Sequence, residues 1–297
     1  MPRVPRGAGM TRSILPVLTV VAAIVALWYA AAFAMNQQWT RDQAARAGTE
    51  PTLAQIAADT MSQERPKLPA PHQVAAELWD TTVAKRVTSK RSLVYHGWIT
   101  LSATLLGFAI GTGLGILLAV GIVHNRAMDM SVMPWAIASQ TIPILAIAPM
   151  IIVVLNSVGI SGLLPKAVIS AYLSFFPVVV GMVKGLRSPD AMQLDLLSTY
   201  NADRWQTFWK LRLPASMPYL FTSLKVGVAA SLVGAIVGEL PTGAVAGLGA
   251  RLLAGSYYGQ TVQIWSALLG AAVLAAALVG LIGLAQRLTL AAMGMNR

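Results

Sequence analysis

Long uncharged apolar runs alternate along this chain with short polar joints. Residues 14–35 contain no Asp, Glu, Lys or Arg. A helix needs about 20 apolar residues to cross a bilayer, so this run predicts a first span. Residues 97–123 are likewise uncharged and predict a second. Residues 130–165 carry no charge over 36 positions. As one straight helix they would reach about 54 Å, well beyond a hydrocarbon core of about 30 Å. The run must therefore turn, and Asn156-Ser157-Val158-Gly159 followed by Ser161-Gly162 carries the turn chemistry. That places a third span at 132–155 and a fourth at 162–183. Residues 218–239 predict a fifth, with Lys225 able to snorkel, and residues 263–286 a sixth. The pattern predicts an all-α, polytopic membrane helix bundle of about six transmembrane helices.

The joints are as informative as the spans. Residues 36–95 form one long hydrophilic stretch with eight basic and six acidic residues. It reads as short amphipathic surface helices, one at 75–83, interrupted at Pro66, Pro69 and Pro71. Residues 124–129 form a short polar loop. Residues 184–217 are polar, basic and aromatic, too charged to cross, and residues 240–262 read as a Gly-rich re-entrant or surface loop. Ala32-Phe33-Ala34 resembles a signal-peptidase site. The apolar run before it exceeds the usual h-region of about 7–15 residues, so a retained anchor is expected. Six spans put both termini on one side of the membrane. Arg3, Arg6 and Arg12 then share that side with Lys184, Arg187, Arg204, Lys210 and Arg212. The positive-inside rule makes it cytoplasmic. Lys85, Arg86, Lys90 and Arg91 oppose that orientation, which is kept because the first helix usually dominates. The expected organisation is a cytoplasmic N-terminus at 1–13, an anchor at 14–35 and a periplasmic amphipathic segment at 36–96. A transmembrane domain follows at 97–287, including a cytoplasmic loop at 185–217, and then a tail at 288–297.

Composition supports a membrane bundle and removes several function classes. Of 297 residues, 56% are hydrophobic and 11% charged, against about 25% charged in soluble domains. The net charge of +11 would suggest nucleic acid in a soluble protein. Here the basic residues sit at span ends, which suits membrane topology, and no nucleic-acid partner is expected. The chain has no cysteine, excluding disulfides and thiolate metal sites. His72, His96 and His124 are too scattered to suggest a metal site. No Gly-rich phosphate loop with lysine is present, and no catalytic constellation stands out. Gly107, Gly111 and Gly115 recur every four residues on one helix face and would let another backbone approach closely. Their bland reading is the high glycine content of membrane helices in general.

The densest chemistry lies at residues 195–218, DLLSTYNADRWQTFWKLRLPASMP. Residues 195–200 can form a helix, Asn201 suits a turn, and residues 202–211 can form a second short helix. That helix would carry Trp205, Phe208 and Trp209 on one face, beside Arg204, Lys210 and Arg212. Pro214 and Pro218 would bracket the entry to the fifth span. Aromatics interleaved with cations fit docking onto another protein, or equally an aromatic belt at lipid headgroups. Were the chain a transporter, its path would need polar groups or helix breaks facing inward. Gln140, Thr141, Pro143 and Glu239 are candidates. The other reading of Glu239 is a solvated helix end at the outer interface, with Lys166 at that interface too.

The 195–218 segment resembles the cytoplasmic signature loop of binding-protein-dependent ABC importer permeases. That pattern is E-A-A, three residues, G, about nine residues, then hydrophobic-L-P. Leu213-Pro214 and Pro218 match its end, and Arg204-Trp205-Gln206 its middle as seen in the nitrate/sulfonate/taurine-type subgroup. Asp195-Leu196-Leu197 stands in place of E-A-A and Asn201 in place of the glycine. The acid is retained and asparagine can turn. Leu68-Pro69-Ala70-Pro71-His72-Gln73-Val74 is similar to the subgroup's lead-in. Ser102-Ala103-Thr104 through the three glycines is similar to its first core helix. Gln140-Thr141-Ile142-Pro143 through Ala148-Pro149 is similar to its P-x-x-A-x-x-P stretch. Phe175-Phe176-Pro177, Val237-Gly238-Glu239-Leu240 and Gly247-Leu248-Gly249 are similar to its F-F-P, V-x-E-L and G-L-G. The likeness covers roughly residues 68–287 in order. It implies a non-enzymatic permease of the bacterial inner membrane, pairing with a second permease, often a copy of itself. Cytoplasmic ATPases carrying ATP and Mg would bind it, and a periplasmic solute-binding protein would deliver a small nutrient. Nitrate, sulfonates, taurine, pyrimidine vitamin precursors and riboflavin are the family's range. It further implies that Asp195, Leu196, Leu197, Asn201, Arg204, Trp205, Phe208, Trp209, Leu213 and Pro214 couple to the ATPase. An ion-coupled secondary transporter is the alternative; it would need inward-facing acids, of which only Glu239 comes near a later span.

Overall fold

A computed structural model of the chain describes the backbone of residues 8–240 and 246–295, with side chains from residue 15 onward. Arg3, Arg6, the Arg12 side chain, part of the Gly-rich 240–262 stretch and the last residues of the tail lie outside the described residues. Among those described, all regular structure is helical. The helices are α1 (Ala8–Ala47), α2 (Leu53–Ser62), α3 (Pro71–Trp79), α4 (Leu93–His124), α5 (Arg126–Ser139) and α6 (Ile144–Ser157). They continue with α7 (Leu163–Leu186), α8 (Ala191–Thr199), α9 (Arg204–Thr207), α10 (Leu213–Glu239), α11 (Leu248–Tyr257) and α12 (Thr261–Ala292). Five described stretches are long and apolar enough to cross a membrane, or six if the bent pair α5–α6 counts as one. The chain is therefore an all-α polytopic membrane protein.

Several expected boundaries move. The third span is not one helix: α5 and α6 are bent by 100° at Gln140–Pro143. At 14 residues each, they are individually too short to span at about 1.5 Å per residue. Proline at 143 offers no N–H to continue the ladder, and the chain there is extended (φ −61°, ψ 122°). The turn expected at 156–162 is also present, with Gly159 and Gly162 at φ +80° and +77°. Helix α1 does not stop at residue 35 but continues to Ala47, and α12 runs past residue 287 to Ala292. The 240–262 stretch contains a true helix, α11. The segment 36–96 is not all surface helices, since its end already belongs to α4. Pro71 starts α3 rather than interrupting a helix, as its ring suits the first helical turn.

The chain divides into two compact units, each described on its own. The first holds the residues up to Arg86 with Ala254–Ala267. Its proline-rich strap between α2 and α3 cannot bond to itself, so side chains satisfy its backbone. Buried Asn36 donates from Nδ2 to Leu68 O at 2.7 Å and accepts from Leu68 N at 3.2 Å. Trp28 donates to Pro69 O at 2.9 Å and Thr261 to Pro66 O at 2.5 Å. Thr40 donates to Asp59 at 2.7 Å, fixing α2 on α1.

The second unit, Val87–Leu253 with Leu268 onward, is built around α7, which packs against both α4 and α10. Small residues set these contacts. A Cβ at Gly107 would lie 2.4 Å from Ser170 Cβ, and one at Gly111 2.2 Å from Ser174 Oγ. At Gly115 it would lie 2.9 Å from Phe175 O. These glycines do mark a close helix approach. Ser170 donates to Ser231, and Ser231 Oγ to Thr104 O at 2.9 Å, linking all three helices inside the apolar core.

Candidate functional site

Between α7 and α10 the chain builds an aromatic elbow from local rules. Asp190 and Gln193 form a capping box that starts α8. Asn201 has φ +54°, the only described non-glycine residue with positive φ, and turns the chain between α8 and α9. Asp203 Oδ1 accepts from Gln206 N at 2.6 Å and caps α9. The chain then does not pause at Pro214. A π-helical turn at Phe208–Arg212 joins α9 to α10, with Leu213 N–H reaching back to Phe208 O. The wider turn absorbs the N–H that proline lacks and the crowding of its ring. The expected short helix at 202–211 and separate span from 218 are thus one 36-residue helical run, Arg204–Glu239.

The expected aromatic face is real but divided. Trp205, Phe208 and Trp209 touch one another, with centroids 5.4–6.2 Å apart. Phe208 is buried in a core cluster that includes Ile122, Val183 and Leu186, and its ring meets His124 edge-on. It anchors the group, while Trp205 and Trp209 remain 68% and 49% exposed. Asp195 and Leu196 lie exposed on α8, Leu197 is half-buried, Asn201 and Arg204 are exposed, and Leu213 and Pro214 are half-buried. Val120, His124, Arg204, Trp205 and Phe208 line a shallow groove of ≈ 310 Å³. From sequence His124 only opened the polar loop at 124–129 and suggested no metal site; its place facing the aromatic segment has no signal in linear spacing. Arg187 pairs with Asp129 at 2.8 Å and so ties the start of the elbow to α5. Arg212 donates to Leu186 O at 3.5 Å, meeting a carbonyl at the end of α7.

Gln140, Thr141 and Pro143 lie together at the α5–α6 bend. Gln140 is half-buried, and Thr141 and Pro143 are exposed. Non-helical backbone at membrane depth is tolerated where protein buries it or where it lines a water-filled cavity. Glu239 is not with them. It is fully buried at the end of α10, so a solvated helix end is not found, and Lys166 lies largely buried beside it. Glu239 accepts from Thr100 Oγ1 at 2.9 Å and from Gly249 N at 2.8 Å. Lys166 Nζ lies 3.9 Å away and also donates to Ala246 O at 3.4 Å.

This carboxylate belongs to a cap assembled from distant chain segments. Three successive N–H groups at the start of α11 each find a side chain. Gly247 N donates to His96 Nδ1 at 2.9 Å, Leu248 N to Thr100 Oγ1 at 2.8 Å, and Gly249 N to Glu239 Oε2. Since Nδ1 of His96 accepts, its Nε2–H donates to Lys90 O, 2.9 Å away. The helix N-terminus is where orphan N–H groups and a positive dipole end favour a carboxylate. Gly247 has φ +128°, and a Cβ there would lie 2.2 Å from the carboxyl carbon, so the V-x-E-L and G-L-G stretches form one contact. His96 and Thr100 were missed from sequence because nothing local marks them as partners of residues some 150 positions away. No group of His, Asp and Glu suited to a metal ion occurs among the described residues.

With this geometry in place, comparison with known proteins is decisive for class. The family described as "binding-protein-dependent transport system inner membrane component" matches residues 111–292. The chain belongs to this family of ABC transport permeases, non-enzymatic membrane components. It is 32% identical over 221 residues to the riboflavin transport system permease protein RibX of Chloroflexus aurantiacus, covering 74% of this chain and 78% of that one. It is 32% identical over 183 residues to the formylaminopyrimidine transport permease protein ThiX of Halalkalibacterium halodurans, covering 61% and 68%. It is 24% identical over 201 residues to the putative aliphatic sulfonates transport permease protein SsuC of Bacillus subtilis, covering 66% and 71%.

Proposed function

We propose that this chain forms the translocation path of an ATP-driven importer and receives motion from a cytoplasmic ATPase at the α8–α9 elbow. The observation that carries this reading is the unbroken helix Arg204–Glu239 with exposed Trp205 and Trp209 at its start. At about 1.5 Å per residue it extends about 54 Å, so its aromatic end projects beyond a hydrocarbon core of about 30 Å. A rigid rod gripped at that end moves its far end with it. In this reading Asp195, Leu196, Asn201, Arg204, Trp205 and Trp209 face the ATPase, which holds ATP and Mg. Phe208, Leu197, Leu213 and Pro214 hold the elbow to the bundle. Both termini lie in the cytoplasm of a bacterium, a second copy completes the pathway, and a periplasmic binding protein delivers the solute.

For the solute, the relatives at 32% identity are named for riboflavin and formylaminopyrimidine, and one at 24% for sulfonates. This favours a nitrogen-ring nutrient over a small inorganic or sulfonate anion. Gln140 and Thr141, uncharged hydrogen-bonding side chains at the bend, suit such a neutral ring.

The test is uptake by the membrane-embedded chain with its ATPase. Asp195→Arg and Trp205→Glu should each abolish nucleotide-dependent uptake while leaving membrane insertion intact. Unchanged uptake in both variants would refute the docking role. Transport by reconstituted vesicles without nucleotide would instead establish the ion-coupled alternative. Radiolabelled riboflavin or formylaminopyrimidine, offered against taurine and nitrate, decides the solute class.

A further inference from the structure

Proline 143 removes a hydrogen bond that another helix restores. In a continuous helix the Ser139 carbonyl would accept from the N–H of residue 143, four positions on. Residue 143 is proline and has no N–H. The neighbouring amides turn elsewhere, Gln140 N to Ile137 O at 3.1 Å and Thr141 N to Ala138 O at 3.0 Å. The Ser139 carbonyl instead accepts from the hydroxyl of Tyr172 on α7. Tyr172 is well placed to act as a fixed post. Its half-buried ring rests against Phe175, at 6.1 Å between centroids. Its helix is locked on both sides by the close contacts at Gly107, Gly111 and Gly234. Ser139 itself is buried, so its carbonyl has little water to fall back on.

We propose that Tyr172 is a positioning residue for the α5–α6 elbow. Its hydroxyl replaces the donor lost at Pro143 and thereby sets the angle at which Gln140 and Thr141 are presented. The functional weight of that angle rests on the reading of residues 140–143 as part of the path; the positioning itself does not.

The natural absence of cysteine makes the test direct. Spin labels on Trp135→Cys and Val154→Cys, 66% and 61% exposed and on opposite arms of the elbow, report its angle in the full chain in lipid nanodiscs. Tyr172→Phe keeps the ring and deletes only the donor. It should shift or broaden the distance distribution. The same substitution in a Pro143→Ala background, where Ser139 regains a helical N–H, should add no further change. A distribution identical in Tyr172 and Tyr172→Phe proteins overturns the proposal, as does an equal change in both backgrounds. A separate readout addresses the path. Thr141→Cys should react with a hydrophilic thiol reagent in intact membranes, at a rate altered roughly threefold to tenfold by Tyr172→Phe, the scale of one net hydrogen bond. An unreactive Thr141→Cys sinks the path reading and leaves the distances to decide Tyr172.

Discussion

The two ends of the helix Arg204–Glu239 show opposite uses of polar and aromatic chemistry. At its far end, Glu239 is wholly buried and its partners come from α4, α7 and the start of α11. At its near end, Trp205 and Trp209 stay 68% and 49% exposed beside Phe208, the buried ring of the three. A buried carboxylate survives only if hydrogen bonds and a cation offset its desolvation. An exposed indole costs the monomer little and offers a partner much contact area. Damage at the first end should therefore appear as lost stability, and at the second as lost transport.

The largest loss is expected for Glu239→Ala, which takes the acceptor from the buried Gly249 amide and the counter-charge from the Lys166 ammonium. Removing one partner of a buried charged group costs about 3–5 kcal/mol. Thermal unfolding of the detergent-purified protein checks it. Glu239→Gln, which keeps an acceptor oxygen, should retain more stability, and equal losses in the two variants would remove the charge from the explanation. Next comes Gly111→Ala, whose Cβ would lie 2.2 Å from Ser174 Oγ and 2.8 Å from Ala171 O. Forcing α4 and α7 apart should cost about 1–3 kcal/mol, read by the same melt. Asn201→Val places a β-branched residue at φ +54° and should cost about 1–2 kcal/mol, whereas Asn201→Gly should cost little. Limited proteolysis of the α8–α9 turn would report the difference. The smallest stability effect belongs to Trp205→Glu, within about 0.5 kcal/mol because the site is exposed. The same variant should abolish uptake. A large stability loss there would mean that Trp205 serves the bundle, and the contrast between the two ends would collapse.

Apolar run lengths, turn residues and glycine spacing are one-dimensional signals, and they were enough for the membrane class, a glycine face on α4 open to close approach and the turn at Asn201. The motif order along the chain likewise pointed to the permease family that the comparisons established. Linear patterning could not foresee that α9, the π turn and α10 fuse into one rod, because whether proline ends a helix depends on how the turn before it relaxes. It also could not foresee that α5 and α6 fold at Pro143, since an uncharged run looks alike straight or bent. Phe208 and Trp205 are similar in sequence terms, and only the packing of α4 and α7 separates an anchor from an exposed face.

The amino-acid order alone established that the chain is a membrane helix bundle and which residues sit at its polar joints, because hydrophobic length and local turn chemistry act within a few residues. The burial of Glu239 with Thr100, Gly249 and Lys166, the bond of His96 to Gly247, and the donor that Tyr172 returns to Ser139 emerged only when remote helices met. Hydrogen bonds between residues far apart in the chain leave no periodicity to read.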